Sequence, residues 1–290
     1  MAIGEGFKED LKDHIISSFG SFTDLINESK TILTGNGVSW INDAWTLVEG
    51  ICDILNPFCQ SIIALCLLIE LAQTVMKVDV LKWENGLKVC IKMVLSKVCI
   101  TVAPTFLKAC YQQACEWIGS IGASTGALSY IITELQQSAT DYLASVDGLG
   151  SILGLYISVS FVVIAIKICG LLMKVIAFGR MFEILVYIAI SPLPCAFFPL
   201  GDGTGGGISR ITQKYFKSFI AVCLQGVMMI LCIQIYNSII ASVLIANTDA
   251  ANAAAANVSE LCYTMLMGAI VLVMSVARCG TWAKSIIDAM

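Results

Sequence analysis

Long apolar segments dominate this sequence and constrain its fold more than any other feature. Of the 290 residues, 58% are hydrophobic and only 13% are charged, whereas soluble domains carry roughly 25% charged residues. A helix needs about 20 predominantly apolar residues to cross the hydrocarbon core of a bilayer. The sequence therefore predicts an all-α, multi-pass membrane domain over residues 50–290. Five spans are predicted, at residues 51–76, 87–118, 149–178, 216–246 and 258–277.

Residues 1–49 precede the first span and contain an amphipathic pattern. Between residues 3 and 33, large apolar residues recur every three or four positions, as on one face of a helix. The opposite face is acidic, and an acidic face does not favour anionic lipid. We expect an extracytoplasmic helix that packs on other helices or subunits and ends at the Gly-Asn-Gly sequence of residues 35–37. The apolar face is Ile3, Phe7, Leu11, Ile15, Phe19, Phe22 and Ile26, and the acidic face is Glu5, Glu9, Asp13, Asp24 and Glu28.

The distribution of basic residues predicts the orientation of the spans. Lysine and arginine are enriched in cytoplasmic loops. Here they are frequent in the link after the first span, after the third span and at the C-terminal end, and they are absent from residues 116–148 and 247–259. We therefore expect the N-terminus outside and the C-terminus in the cytoplasm.

A proline-rich interruption separates the third and fourth predicted spans. Proline lacks an N–H group and clashes with the preceding turn, so it cannot continue a regular helix. Because Arg180 and Arg210 both favour the cytoplasm, a full crossing between them would place one of them outside. Residues 181–199 are therefore predicted to form a re-entrant hairpin, followed by a glycine-rich loop at 201–207. Candidate hairpin or gate residues are Ser191, Pro192, Pro194, Gly203 and Gly205.

The second span carries a polar stripe. An intramembrane polar stripe usually faces protein or water, so it is a candidate lining of a path or a subunit contact. The alternative is that its first two lysines belong to the preceding loop. The candidate residues are Lys88, Lys92, Lys108 and Gln112.

No constellation for catalysis, a cofactor or a metal is evident, and we expect a protein that is not an enzyme. Lys167 and Glu183 are candidates for ion coupling; the alternative is a cation near the membrane edge and a local ion pair. Thirteen cysteines lie mostly within apolar runs. Three of them, Cys52, Cys59 and Cys66, recur every seven residues, which favours a small-residue helix contact over a redox or metal role.

A family resemblance follows from the interruption and the helix after it. The runs Ile190-Ser-Pro-Leu-Pro-Cys-Ala-Phe-Phe and Lys214-Tyr-Phe-Lys-Ser-Phe-Ile-Ala-Val-Cys-Leu-Gln-Gly226, separated by glycines, resemble the TrbL-like conjugal transfer proteins. The resemblance implies a channel component in the bacterial cytoplasmic (inner) membrane, belonging to a type IV secretion system. It further implies a ring-shaped homo-oligomer in contact with membrane lipids, secretion ATPases and a coupling protein. The implied substrates are proteins or single-stranded DNA bound to a relaxase.

Two other functions remain open on the sequence alone. An ion or small-molecule transporter would place ionisable groups or broken helices near the bilayer midplane. A non-conducting assembly scaffold would need the same apolar spans but no path. A conjugation subunit is preferred because the resemblance covers the most irregular part of the chain.

Overall fold

A computed structural model describes residues 2–35, 39–77, 83–122, 149–198, 210–250 and 258–289. Every regular element within these ranges is helical, so the predicted all-α fold is confirmed for the described part of the chain. The helices are α1 (Ala2–Thr34), α2 (Ser39–Lys77), α3 (Trp83–Gly122), α4 (Leu149–Ile190), α5 (Pro192–Ala196), α6 (Arg210–Ala250) and α7 (Val258–Ala289).

Five helical segments are long and apolar enough to cross a membrane, which is the number predicted. Many of their large apolar side chains are exposed, as suits helices that contact lipid or other protein. The orientation of the termini stays a prediction. The segments are Ile41–Ala72, Cys90–Gly122, Tyr156–Ala196, Arg210–Ser242 and Tyr263–Ala289.

Helix α4 extends beyond residue 178, where the third span was predicted to end. It runs without interruption to Ile190, so residues 181–190 belong to the same helix as that span. Arg180 does not end the helix, because its guanidinium lies 2.5 Å from the carboxylate of Glu183, one turn further on. Reversal of the chain can begin only at Ser191. Whether residues 181–199 re-enter the membrane stays a prediction.

The segment predicted to be an amphipathic helix is helical and forms α1. Gly35 ends it with a φ of 67°, a conformation that glycine adopts without strain, and its N–H reaches Thr31 O and Ile32 O at 3.1 and 3.2 Å. Phe22 and Ile26 of the apolar face are buried. The side chains of Ile3, Phe7, Leu11, Ile15 and Phe19 lie outside the described part of the structure.

The described residues form two compact units. Unit 1 comprises Met1–Asn36, Trp117–Gly179 and Gly226–Gly280, and it includes α1 and the first part of α4. Unit 2 comprises Gly37–Glu116, Arg180–Gln225 and Thr281–Met290, and it includes α2, the end of α4 and α5. The predicted loops at residues 123–148 and 201–207 lie outside the described residues.

Candidate functional site

The proline break lies in unit 2, between the end of α4 at Ile190 and the start of α5 at Pro192. Ser191 forms the turn, and its N–H donates to Ile188 O at 3.2 Å. Neither Pro192 nor Pro194 can offer an N–H to the carbonyl four residues earlier. Carbonyl groups in the last turn of α4 therefore need donors from elsewhere.

A thiol on α2 supplies one such donor. Cys52 Sγ lies 3.6 Å from Ile188 O and 3.5 Å from Ala189 O. Helix α2 also packs against α5. Cys52 is buried, and its thiol is a weak hydrogen-bond donor. The first cysteine of the heptad series thus contacts the break directly.

Hydroxyl groups on α6 supply two more donors. The Tyr215 hydroxyl donates to Tyr187 O. In a regular helix this carbonyl would accept from the Ser191 N–H, but that N–H donates to Ile188 O instead. Thr212 Oγ1 donates to Pro194 O at 2.8 Å. An unsatisfied backbone carbonyl in hydrocarbon is costly, so these contacts stabilise the irregular backbone and tie α6 to it.

Aromatic rings of α4 and α6 pack against one another next to the proline break. The Tyr187 ring lies 5.6 Å from that of Tyr215 and 6.3 Å from that of Phe219, both measured between ring centroids. Phe219 is almost fully buried. Tilted and edge-on ring pairs at these distances are favourable, so the break is packed as well as hydrogen-bonded.

The predicted hairpin or gate residues are therefore only partly described. Ser191, Pro192 and Pro194 lie at the break, and all three are buried. Gly203 and Gly205 lie outside the described residues. The structure thus locates the proline half of the predicted element and the helices that hold it.

The polar stripe of α3 meets carboxylates of α2. Lys92 forms an ion pair with Glu70, and their side chains are 25% and 17% exposed. Lys108 lies 2.8 Å from Glu49, but these side chains are more exposed, at 35% and 65%. The two lysines are separated by about 24 Å along the helix. Each therefore interacts with a different part of α2, and they are not brought together.

The C-terminal end of this stripe has further polar character. The Lys108 ammonium lies 5.0 Å from the centroid of the Trp45 ring, a cation–π contact. Gln112, one turn along α3, is exposed. The backbone of Lys88 belongs to α3, but its side chain lies outside the described part of the structure. Lys108 and Gln112 thus form the more accessible part of the stripe among its described side chains.

Helix α1 docks on α4 within unit 1. The His14 ring stacks on that of Tyr156 with centroids 6.1 Å apart, and Lys174 Nζ lies 2.7 Å from Glu28 Oε1. Both contacts advance along the two helices in the same direction, so α1 and α4 are parallel. The acidic face of α1 is largely exposed at Glu9, Asp13, Asp24 and Glu28.

The described cysteines are free thiols. Cys52, Cys59 and Cys66 are all buried, which confirms that their seven-residue spacing marks one packed face of α2. In unit 1, Cys232 Sγ lies 3.6 Å from Cys279 Sγ. Across the described ranges, no group of three or more His, Cys, Asp or Glu side chains is placed to hold a metal ion.

Cys52, Thr212, Tyr215 and Phe219 are parts of the site that the sequence interpretation missed. The available signal was chemical: hydroxyl residues at the start of a span that directly follows a proline break. Thr212 and Tyr215 satisfy this description. Cys52 carried no comparable signal, because its partner is 136 residues away in the chain.

Comparison with known proteins agrees with this picture of a helical membrane protein. Residues 26–192 match the family described as TrbL/VirB6 plasmid conjugal transfer like protein. The matched region extends from α1 into the proline break and covers more than half of the 290 residues. Neither the comparison with curated proteins nor that with solved structures gives a match. With five membrane-capable helices and this match, the chain belongs to the TrbL/VirB6-like conjugal transfer family.

Proposed function

We propose that this chain is an inner-membrane subunit of a conjugative type IV secretion system and forms part of its translocation path. The family match over residues 26–192 is the observation that carries the proposal. The transported substrate is a DNA–protein complex or a protein. The chain itself is not an enzyme: ATPases and a coupling protein supply energy and substrate, and single-stranded DNA with its relaxase passes transiently.

Assembly into a homo-oligomeric ring is supported by unit 1, where an acidic and an apolar surface are exposed on adjacent helices. Between the His14–Tyr156 and Glu28–Lys174 contacts, α1 exposes Asp24, while α4 exposes apolar side chains such as Phe161, which is 79% exposed. Hydrocarbon suits the apolar side chain but penalises a carboxylate, and water does the reverse. Another protein surface resolves the conflict by covering one of the two. Further copies of the chain would supply it.

Within such an assembly, the polar stripe Lys88, Lys92, Lys108 and Gln112 lines the path or a subunit contact. The Lys92–Glu70 pair is the more enclosed of the two ion pairs and has no net charge. The Lys108–Glu49 pair is more exposed, and exposed pairs are weak. Lys108 and Gln112 are therefore the part of the stripe best placed to meet a polyanion or a neighbouring subunit.

The experiment that tests the proposal combines genetics with native mass measurement. Deleting the chain from a conjugative donor should abolish transfer, and the wild-type chain should restore it. Protein extracted in lipid nanodiscs should give the mass of a closed homo-oligomer. Normal transfer by the deletion strain would contradict the proposal. Solute uptake into proteoliposomes by the protein alone would favour the transporter, and assembly of the other subunits without any contact to substrate would favour the scaffold.

A further inference from the structure

Two of the buried oxygen atoms in unit 2 have no hydrogen-bond partner among the described residues. One is Ser191 Oγ at the proline break, whose residue is 0% exposed, and the other is Asn56 Oδ1 on α2. Buried polar atoms in folded proteins are almost always paired with protein or with ordered water. An unpaired atom on each of two packed elements therefore points to a shared partner.

The contacts of α2 with the break bring Asn56 into the neighbourhood of Ser191. Cys52 contacts the carbonyls of Ile188 and Ala189. Asn56 lies one helical turn beyond Cys52 and on the same face. Because α2 also packs against α5, which begins at Pro192, one turn along α2 from the Cys52 contact leads to Ser191.

The chemistry of this point suits a neutral ligand that donates hydrogen bonds. Asn56 Oδ1 can only accept, and Ser191 Oγ has lone pairs to offer. The carbonyl of Ile190 has lost its helical donor, because residue 194 is proline. The nearest carboxylates on α2, Glu49 and Asp53, are exposed, so no buried charge calls for a cation, which would also need about six oxygen ligands.

We propose that Asn56 and Ser191 hold a buried water molecule that joins α2 to the proline break. Ordered water commonly completes the hydrogen bonding of proline-interrupted helices in membranes, and such a water needs two to four polar partners. Because water exchanges hydrogen-bond partners readily, α5 could shift against α4 without leaving a backbone carbonyl without a donor. The site does not depend on the proposed role in secretion.

Direct observation on the unmodified protein tests the site. In a cryo-electron microscopy map of the nanodisc-embedded chain that resolves ordered water, a peak should lie about 2.7–3.2 Å from both oxygens. The peak should be unchanged when sodium is replaced by potassium or choline. A well-resolved break without the peak overturns the proposal. So does a peak that depends on sodium, or a direct side-chain bond to either oxygen.

A double-mutant cycle gives an independent test. Asn56→Leu and Ser191→Ala should each lower the thermal unfolding midpoint, by about 2–4 °C if each loses one buried hydrogen bond. Because both remove contacts to one water, the double variant should lose clearly less than the sum. If the decreases in the unfolding midpoint of the two single variants add up in the double variant, the proposal is overturned. Should a variant fail to fold, the map of the unmodified protein still decides.

The control for this cycle is Gln225, a buried amide on α6 whose Nε2 also lacks a described partner. It lies 13 residues beyond Thr212, or about 20 Å along the helix axis. Asn56→Leu combined with Gln225→Leu should therefore show additive losses, since the two sites share no ligand. Coupling as large as that between Asn56 and Ser191 would overturn the assignment of one local water.

Discussion

At the scale of single residues, short polar side chains replace missing backbone donors. Tyr215 and Thr212 each offer one hydroxyl to a carbonyl at the proline break, and both come from the first turns of α6. In water these bonds would exchange with solvent at little net cost. Within a membrane the alternative is an unpaired carbonyl, so each hydroxyl has a larger effect on stability.

The substitution Tyr215→Phe isolates this effect. It removes only the hydroxyl and leaves the ring contacts with Tyr187 in place. The expected loss is about 1–3 kcal/mol of unfolding free energy, since the partly buried Tyr187 carbonyl loses the hydroxyl donor of Tyr215. Chemical unfolding in detergent micelles measures it.

The matched control is Tyr263→Phe, because that tyrosine lies on α7 and is exposed. It should change stability by less than about 0.5 kcal/mol. Equal stability of the Tyr215→Phe variant and the wild type would show that another group satisfies the carbonyl.

Residue-level prediction from the sequence was good for the break and poor for its partners. Pro192 and Pro194 locate the interruption because the lack of an N–H group is a local property. The donors are set by how helices pack, and no local pattern relates Cys52 to Ile188. The same limit applies to the α3 stripe: its lysines could be found, but not the α2 carboxylates that pair with two of them.

At the scale of elements, one glycine permits the close approach of α1 to α4. A Cβ atom at Gly170 would lie 2.8 Å from Leu25 Cδ1 and 3.1 Å from Phe22 Cδ2. Those distances are shorter than ordinary carbon contacts. Small residues at such points allow helices to pack closely in membranes.

The substitution Gly170→Val should therefore loosen α1 from α4. The branched side chain cannot avoid the Leu25 Cβ atom, which would lie 3.3 Å from its own Cβ. We expect α1 to be cleaved several-fold faster in limited proteolysis, with membrane insertion unchanged. Gly154→Val is the control, since nothing lies within 4 Å of a Cβ there. Equal cleavage rates in the two variants would contradict a close helix contact at Gly170.

The two ion pairs between α2 and α3 should differ in what they do. Lys92→Gln removes a cation that pairs with the poorly exposed Glu70 carboxylate, so it should lower the amount of assembled protein. Lys108→Gln affects an exposed pair, so assembly should be normal and transfer should fall if the cation meets substrate. Conjugation frequency and membrane content together measure both effects.

The control for both variants is Lys97→Gln, an exposed lysine of α3 that forms no ion pair with the described residues and lies about 16 Å along the helix from Lys108. Adding Glu70→Gln to Lys92→Gln should restore part of the assembly, because it removes the carboxylate with which Lys92 pairs. Transfer at the wild-type level in the Lys108→Gln variant, and also with Lys88→Gln added, would count against a role for the stripe in the path.

Helix positions followed from the sequence more reliably than helix ends. The apolar runs locate all five spans, because burial in lipid demands long apolar stretches whatever the neighbours are. Helix α4 runs past the end predicted for the third span near residue 178, and Arg180 lies within the helix rather than in a loop. Its pairing with Glu183 within α4 neutralises it and allows the helix to continue.

At the scale of the whole molecule, the continuous α4 permits a second membrane topology that places Arg180 and Arg210 without violating the positive-inside rule. Five crossings place the two ends of the chain on opposite sides of the membrane. If the third crossing extends over Tyr156–Ala196, then Arg180 lies within it as half of an ion pair. Arg210 then follows the crossing on the cytoplasmic side, and no separate hairpin is required to satisfy the positive-inside rule.

Accessibility at residue 179 separates the two arrangements. A hairpin that begins at residue 181 would place Gly179 in a cytoplasmic turn, whereas a continuous crossing keeps it at membrane depth. We expect Gly179→Cys to resist a membrane-impermeant maleimide from either side, because α4 does not bend back before Ser191. Peptide mass spectrometry identifies the modified cysteine among the native ones. Thr204→Cys is the control, since both arrangements expose it to the cytoplasm. Cytoplasmic labelling of residue 179 would establish the hairpin, and labelling of residue 204 only from outside would exclude both arrangements.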